Sequence, residues 1–142
     1  MSETTAVPVI VLSRHEDNAE AVNRVLRNNG RAAHVQRIDD AGDLADHLGH
    51  REWELVVVFS AENENLLATA AAVLDAAGIE VPLISCRDEL DEDIIADDIG
   101  AGAYDAVSLR RTDRLSAVLE RALKAGRLNR ALKGAVRSAS SY

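Results

Sequence analysis

The sequence has 142 residues, enough for one domain with a core of its own. Its 24 Asp and Glu outnumber its 16 Lys and Arg, and the resulting charge of −8 argues against a general nucleic-acid binder, which needs a net basic surface. Apolar residues make up 47% and aromatic residues 3%, which excludes a disordered chain and predicts a core of Val, Ile, Leu and Ala.

Short apolar runs alternate with helical patterns along the chain. The runs are β-branched and continuous, as expected of strands that are buried on both faces. They predict strands over residues 7–12, 31–38, 54–59, 81–86 and 104–109. The helical patterns predict helices over residues 17–30 (capped by Asp17), 40–50, 65–77, 91–99 and 113–137.

Five strands alternating with five helices predict right-handed crossovers and a parallel sheet covered on both faces. The expected fold class is doubly wound α/β with the strand order 2-1-3-4-5. We expect a disordered N-terminus over residues 1–6, one domain over residues 7–125, and a helical extension or linker with a frayed end over residues 126–142.

The last helical pattern is longer than the three turns that would cover the sheet. Its apolar positions fall on one side: Leu115, Val118, Leu119, Ala122, Leu128, Leu132 and Val136. Residues past Ala125 are expected to have no sheet left to pack on. They could bury their apolar side against a second copy or lead into another domain.

The absence of targeting signals and the single cysteine indicate a cytoplasmic protein. The single cysteine, Cys86, cannot form an internal disulfide, and no Cys or His cluster has zinc spacing. The N-terminus lacks the features of a signal peptide, and no apolar run is long enough to span a bilayer. We expect no metal, no cofactor and no membrane insertion.

Four segments, in this order, resemble a CheY-like response-regulator receiver domain: VIVLSRHEDNAEAVNRVLRNNG, WELVVVFSAENEN, VPLISCRDELDED and GAGAYDAVSL. The resemblance covers roughly residues 7–125. It implies a site at the carboxyl ends of the strands, where an acidic pair holds Mg²⁺ and an Asp after strand three accepts phosphate. A Thr or Ser ends strand four, a Lys ends strand five, and an aromatic residue on strand five acts as a switch.

In this chain, each of those roles falls on a residue that cannot perform it. The matching positions are Ser13 and Arg14 for the acidic pair, Phe59 (or Ser60, if the register slips by one) for the acceptor, Arg87 for the hydroxyl, Leu109 for the lysine and Ala106 for the aromatic residue. Mg²⁺ needs carboxylate oxygens, and phosphoryl transfer depends on that metal. The resemblance therefore implies a non-enzymatic pseudo-receiver without Mg²⁺-dependent phosphorylation.

Charged side chains near the same crevice leave two alternatives open. Arg14 and Arg87 could bind a small anionic ligand such as a phosphate or nucleotide, which would make the domain a ligand sensor. They could instead pair with nearby carboxylates such as Glu16, Asp88 or Glu62. Glu62 and Glu64 could mimic a fixed phosphoryl charge, or they could be acids at a helix N-terminus.

The second half of the chain carries a charge pattern suited to protein contacts. Residues 88–98 contain seven acids, whereas residues 110–142 carry nine Lys and Arg against two acids. Receivers commonly dock partners through helices four and five with strand five. The resemblance thus implies a docking or homodimer surface that includes Asp91, Ile94, Ile95, Asp98, Tyr104, Arg114, Val118 and Arg121.

A narrower resemblance concerns NNGRAAHVQRIDDAGDLADHL, followed by REWELVVV. This stretch is similar to the N-terminal receiver of FimX-type GGDEF–EAL proteins. It implies a regulatory module of a bacterial cyclic-di-GMP signalling protein.

Overall fold

The computed structural model describes residues 6–60 and 66–140, and the side chains only as far as residue 136. The strands are β1 (Val7–Leu12), β2 (Ala33–Ile38), β3 (Leu55–Phe59), β4 (Leu83–Arg87) and β5 (Asp105–Ser108). The helices are α1 (Glu16–Asn28), α2 (Leu44–Leu48), α3 (Leu66–Ala76), α4 (Glu92–Gly100) and α5 (Thr112–Ser140).

The strands form one parallel sheet in the order β2-β1-β3-β4-β5. This confirms the predicted doubly wound α/β class and its strand order. The order reverses direction beside β1, so the carboxyl ends of β1 and β3 meet at the switch point where open sheets of this kind usually bind ligands.

Alternate residues of the sheet enter two separate cores. Val9 and Val11 of β1 pack on the side that α1 and α5 cover, whereas Ile10 and Leu12 pack on the side that α2 and α3 cover. Because both faces are buried, the strand sequence is apolar throughout instead of alternating.

The predicted second helix is wrong as a single element. Residues Ala41–Asp43 form a 3₁₀ turn, and only Leu44–Leu48 are α-helical. The Asp40 side chain accepts a hydrogen bond from the Gly42 backbone N–H at 3.0 Å, which favours the tight turn over a continuous helix.

The start of α1 also differs from its prediction. Asp17 is inside the helix, and His15 occupies the N-cap position without a side-chain capping bond. The hydroxyl of Ser13, two residues before that cap, accepts a hydrogen bond from the His15 backbone N–H at 3.0 Å. This hydroxyl therefore fixes the turn into the helix.

The first turns of α5 beyond Ala125 remain in contact with the domain, contrary to expectation. Arg127 and Arg130 donate to the Glu54 carboxylate at 2.8 and 2.6 Å. One turn later, the Lys133 ammonium lies 2.6 Å from the Glu80 carboxylate. Glu54 and Glu80 precede β3 and β4, so the helix is attached along the amino-terminal edge of the sheet.

The helix continues to Ser140. Its Leu128 and Leu132 side chains are exposed. Although α5 is long, none of the helices in the described ranges is apolar enough over a sufficient length to cross a membrane.

Candidate functional site

The carboxyl ends of the central strands bring most of the predicted site positions to one edge. Leu12 of β1 is paired in register with Val58 of β3, and Phe59 is paired with Cys86 of β4. Arg87 is paired with Ser108 of β5. Positions 13, 59, 87 and 109 therefore lie at the ends of adjacent strands.

Ser13 has a structural role at this edge. Its hydroxyl accepts from the Asn18 amide at 2.8 Å as well as from the His15 backbone N–H. The carbonyl of Ser13 accepts a hydrogen bond from the Arg37 guanidinium at 3.1 Å. Arg37, on β2, also pairs with Asp39. A cation that the site prediction did not include, the Arg37 guanidinium, thus lies at the carboxyl end of β1.

Phe59 is a core residue. Its ring is buried and packs in the core that α1 and α5 cover. The next residue, Ser60, is also buried, and its hydroxyl has no hydrogen-bond partner among the described residues. The Ser60 backbone N–H donates to the Cys86 carbonyl at 2.9 Å, which extends the pairing of β3 and β4 by one step.

Arg87 makes the most extensive polar contacts of this edge. Its Nε and Nη2 atoms donate to the two carboxylate oxygens of Asp98, both at 2.7 Å. Its Nη1 atom donates to the Ser60 carbonyl at 3.0 Å. The Asp98 carboxylate accepts a further bond from the Ser85 hydroxyl at 2.8 Å. One guanidinium therefore joins β4, the end of β3 and α4.

The pair is held in its charged form. Burial opposes ionisation of Asp98, but hydrogen bonds from Arg87 and Ser85 and the charge of Arg87 outweigh it, and the pKa of Asp98 lies below its ordinary value. The hydrogen bonds that Arg87 donates to Asp98 raise the pKa of Arg87. The fork-to-fork geometry is the strong bidentate form of this interaction.

These contacts correct two predictions. The three donor nitrogens of Arg87 are bonded to Asp98 and Ser60, so Arg87 pairs with a carboxylate as the second alternative expects, but the acid is none of Glu16, Asp88 or Glu62. Asp98 is 3% exposed and Val118 is 3% exposed, so neither belongs to a docking surface. Val118 packs in the core beneath α5.

The end of β5 has no lysine and no aromatic switch. Leu109 packs partly against the core, and its backbone N–H donates to the Arg87 carbonyl at 2.9 Å. Ala106 is fully buried. The Arg114 guanidinium donates to the Ala106 carbonyl at 2.6 Å and lies 3.2 Å from the Asp105 carboxylate.

A cleft of about 580 Å³, lined by both acids and bases, lies beside β5. Its lining includes Arg110, Arg111 and Arg114, with Leu90 and Ile95 as apolar neighbours. All three guanidinium groups pair with carboxylates within reach, namely Glu89, Asp113 and Asp105 respectively. The sequence prediction missed this cleft.

Other predicted features are placed as follows. Arg14 is exposed next to Ser13. Glu62 and Glu64 lie outside the described residues. Within the described ranges, no group of three or more His, Cys, Asp and Glu side chains is arranged to hold a metal ion. Burial raises the pKa of the Cys86 thiol to about 12.

Comparison with solved structures gives the fold a known counterpart. A response regulator from Thermotoga maritima has a TM-score of 0.71 and 20% identity over 84% of this chain and 99% of that chain. The signal receiver domain of a putative LuxO repressor protein from Vibrio parahaemolyticus has a TM-score of 0.70 and 14% identity over 90% of this chain and 98% of that chain.

NtrX from Brucella abortus, solved in complex with ADP, has a TM-score of 0.73 and 22% identity over 91% of this chain. The match spans only 30% of the longer NtrX chain. No protein-family model matches this chain, and no curated protein matches it. Sheet order, helix placement and these likenesses agree that the chain has the fold of CheY-like response-regulator receiver domains.

Proposed function

We propose that this domain is a non-catalytic, receiver-like signalling module that takes no phosphoryl group and acts through protein contacts. The observation that carries the proposal is the Arg87–Asp98 pair, with both bonds at 2.7 Å. Arg87 stands where the receiver pattern has a Thr or Ser, and Asp98 on α4 neutralises it.

The electrostatics at the end of β1 oppose a divalent cation. Hard cations such as Mg²⁺ are held by carboxylate oxygens. Here the matching positions carry a hydroxyl at Ser13 and a cation at Arg14, and the Arg37 guanidinium donates to the Ser13 carbonyl. Without a bound metal, phosphoryl transfer loses the ion that bridges the phosphoryl oxygens and neutralises their developing charge.

The position of α4 is also fixed by the pair. A guanidinium bonded at once to Asp98 of α4 and to the Ser60 carbonyl after β3 ties helix and sheet together in one arrangement. A switching receiver needs a second arrangement of comparable free energy. We therefore propose that this domain presents a constant surface for docking.

That surface lies on α4, β5 and α5. Its described members from the sequence prediction are Asp91, Ile94, Ile95, Tyr104, Arg114 and Arg121, after removal of the buried Asp98 and Val118. Ile99, which the prediction omitted, is exposed between the acids of α4 and Tyr104. A surface with apolar side chains between acids and bases suits a protein partner.

Incubation with Mg²⁺ and a small phosphodonor such as acetyl phosphate tests the proposal. We expect mass spectrometry to find no added phosphoryl group on any Asp, while a receiver with an intact acidic pair is modified under the same conditions. A phosphorylated Asp in this chain would contradict the proposal.

We further propose that the module belongs to a bacterial cyclic-di-GMP signalling protein. The support is the resemblance of residues 28–48 and 51–58 to the receiver of FimX-type proteins. In the organism that encodes this chain, we expect deletion of these residues to change cellular cyclic-di-GMP. An unchanged level would contradict this context while leaving the docking role untouched.

A further inference from the structure

A cleft of about 690 Å³ lies at the amino-terminal edge of the sheet, at the opposite end from Ser13 and Arg87. Its walls come from the second half of α3, the segment that leads into β4, the turn between α4 and β5, and the middle of α5. Small-molecule sites in proteins typically measure roughly 300–1,000 Å³. The cleft is therefore large enough to hold a small organic ligand.

Glycine allows the walls of this cleft to approach one another. A Cβ at Gly126 of α5 would lie 3.3 Å from the Cγ of Pro82, which is closer than most side chains tolerate. Because glycine is unfavourable inside a helix, this close approach is a packing reason for its presence. Gly102, whose φ is +116°, lets the turn before β5 pass α3, where a Cβ would lie 3.1 Å from that of Ala71. The cleft is thus formed by packed walls and does not need a ligand to assemble it.

Apolar side chains of the cleft remain in contact with solvent. Ile79, Val81 and Pro82 are half-buried, and Ala125 of α5 is exposed. The Tyr104 side chain is 40% exposed and adds an aromatic ring to the lining. Covering such a surface with an apolar group removes it from water, which is favourable. A ligand that suits this cleft therefore has an apolar body.

The charge of the cleft is negative. Of the described residues that line it, the charged ones are Asp75 and Glu80, both acids. Glu80 already has a cation, since the Lys133 ammonium lies 2.6 Å from its carboxylate and the Asn129 amide donates to it at 3.0 Å. The Asp75 carboxylate has no hydrogen bond or ion pair within the part of the chain that the structure describes. One negative charge is therefore left for a ligand to neutralise.

We propose that this cleft binds a small organic monocation with an apolar body, such as an alkyl or aryl amine or guanidine. The cation pairs with Asp75, and the apolar body packs against Pro82 and Ala125. The ammonium of Lys133 on Glu80 is the same kind of contact, made within the chain at the same edge. The inference does not depend on the proposed docking role.

Charge and coordination disfavour other ligands. An anion would meet Asp75 and the surplus of 22 acids over seven bases in residues 1–109. A neutral apolar molecule would cover the Asp75 carboxylate without giving it a partner, which is costly. A hard divalent cation needs several oxygen ligands, and the largely apolar lining does not supply them. A monovalent organic cation suits both the apolar walls and the unpaired carboxylate.

Heteronuclear NMR of the full chain tests the proposal, with n-hexylamine as the probe in phosphate buffer at pH 7. We expect saturable shifts of the backbone amides around the cleft, at Ala72, Asp75, Gly102, Tyr104 and Ala125. The Kd should lie in the millimolar range because the probe is small. n-Butylamine, shorter by two methylenes, should bind roughly fivefold to tenfold more weakly. n-Hexanol and hexanoate have the same length without the positive charge, and both should bind more weakly than hexylamine.

Two variants test the charge and the space separately. D75N should weaken hexylamine binding about threefold to fivefold, the effect of losing an exposed ion pair, and should leave hexanol binding unchanged. Its control D17N removes an exposed acid of α1 at the other edge of the sheet and should bind like the wild type. A72F places a ring in the cleft and should abolish binding, whereas A68F adds the same ring to an exposed position of α3 outside the lining.

All four altered side chains are exposed, and the NMR spectra themselves report whether each variant folds. Hexylamine that causes no saturable shift around the cleft would overturn the proposal. So would hexanoate that binds there as tightly as hexylamine. A D75N or A72F variant that binds hexylamine like the wild type would likewise contradict it.

Discussion

Arg87 shows how the residue type at a strand end determines which contacts form there. A guanidinium at the end of β4 needs a carboxylate, and Asp98 supplies it from α4 at 2.7 Å. Removing one partner of a buried pair leaves the other charge uncompensated, which costs far more than the net contribution of the pair. The Arg87–Asp98 pair therefore constrains how α4 packs on β4. It also occupies the strand end at which the receiver pattern has a hydroxyl.

The variant R87A should lower the free energy of unfolding by about 3 kcal/mol, because Asp98 stays buried without its cation. Chemical denaturation measures the effect. R110A is a matched control, since Arg110 is exposed and lies 3.8 Å from its partner Glu89; we expect it to cost at most about 0.5 kcal/mol. Equal losses of stability in the two variants would show that the Arg87–Asp98 pair stabilises the fold no more than an exposed ion pair does.

At the residue scale, the sequence predicts where the strand-end residues lie better than it predicts which residues they contact. The apolar runs placed Ser13, Phe59 and Arg87 at the ends of their strands, because short strands leave little freedom of register. The sequence offered Glu16, Asp88 and Glu62 as acids that could pair with the arginines of the crevice, whereas the partner of Arg87 is Asp98, eleven residues along the chain. A signal for Asp98 existed: it lies four residues after Ile94 and three after Ile95, on the inner face of α4.

At the scale of elements, α5 differs most from a sheet-covering helix. Its first half buries Leu115, Leu119 and Leu123 in the core. Its second half is attached by charged side chains, with Glu54 accepting from both Arg127 and Arg130. Those hydrogen bonds hold the pKa of Glu54 below its ordinary value despite partial burial. The extension is thus ordered by contacts that a salt solution weakens.

E54Q should loosen this attachment. The amide keeps the shape of Glu54 but loses the charge that two arginines share, so we expect faster amide hydrogen exchange in residues 126–140 and a stability loss of about 1 kcal/mol, since both arginines are partly exposed. E52Q, two residues earlier on an exposed side chain, is the control. Unchanged exchange in E54Q would mean that helix propensity alone orders the extension.

The sequence predicts an element well where its residue pattern is distinct, as in the strands with continuous β-branched runs such as LVVVF. The split of residues 40–50 into a 3₁₀ turn and a short helix was not, because it depends on one hydrogen bond from Gly42 to Asp40. The attachment of α5 was also hidden, since Glu54 and Glu80 become its neighbours only when the sheet has formed.

On the scale of the whole molecule, charge is divided between two parts. Residues 1–109 carry seven Lys and Arg against 22 Asp and Glu, whereas residues 110–142 carry nine against two. The ion pairs of Arg31 with Glu120 and of Arg127 with Glu54 join these parts. The long basic helix therefore offsets repulsion within the acidic sheet domain.

Acid should destabilise the fold through its paired carboxylates. Hydrogen bonds from arginines hold the pKa values of Glu54, Asp98 and Glu120 below their ordinary values, although burial opposes this and is the largest influence at Asp98. A lowered folded pKa gives stability that is complete above the unfolded value, near pH 4, and is lost as the pH falls through the folded value. The difference in the free energy of unfolding between wild type and D98N should therefore stay constant from pH 7 to about pH 4 and shrink as the pH falls further. Parallel curves for wild type and D98N would contradict this assignment.

The buried thiol at the end of β4 has a practical consequence. Cys86 is the single cysteine of the chain, and it lies inside the sheet with its pKa raised to about 12. Its thiolate is scarce at neutral pH and is shielded from reagents. A second cysteine placed on an exposed helix face would consequently be the one that a maleimide dye or nitroxide labels, so fluorescence or electron spin resonance can report on that face with the native core intact.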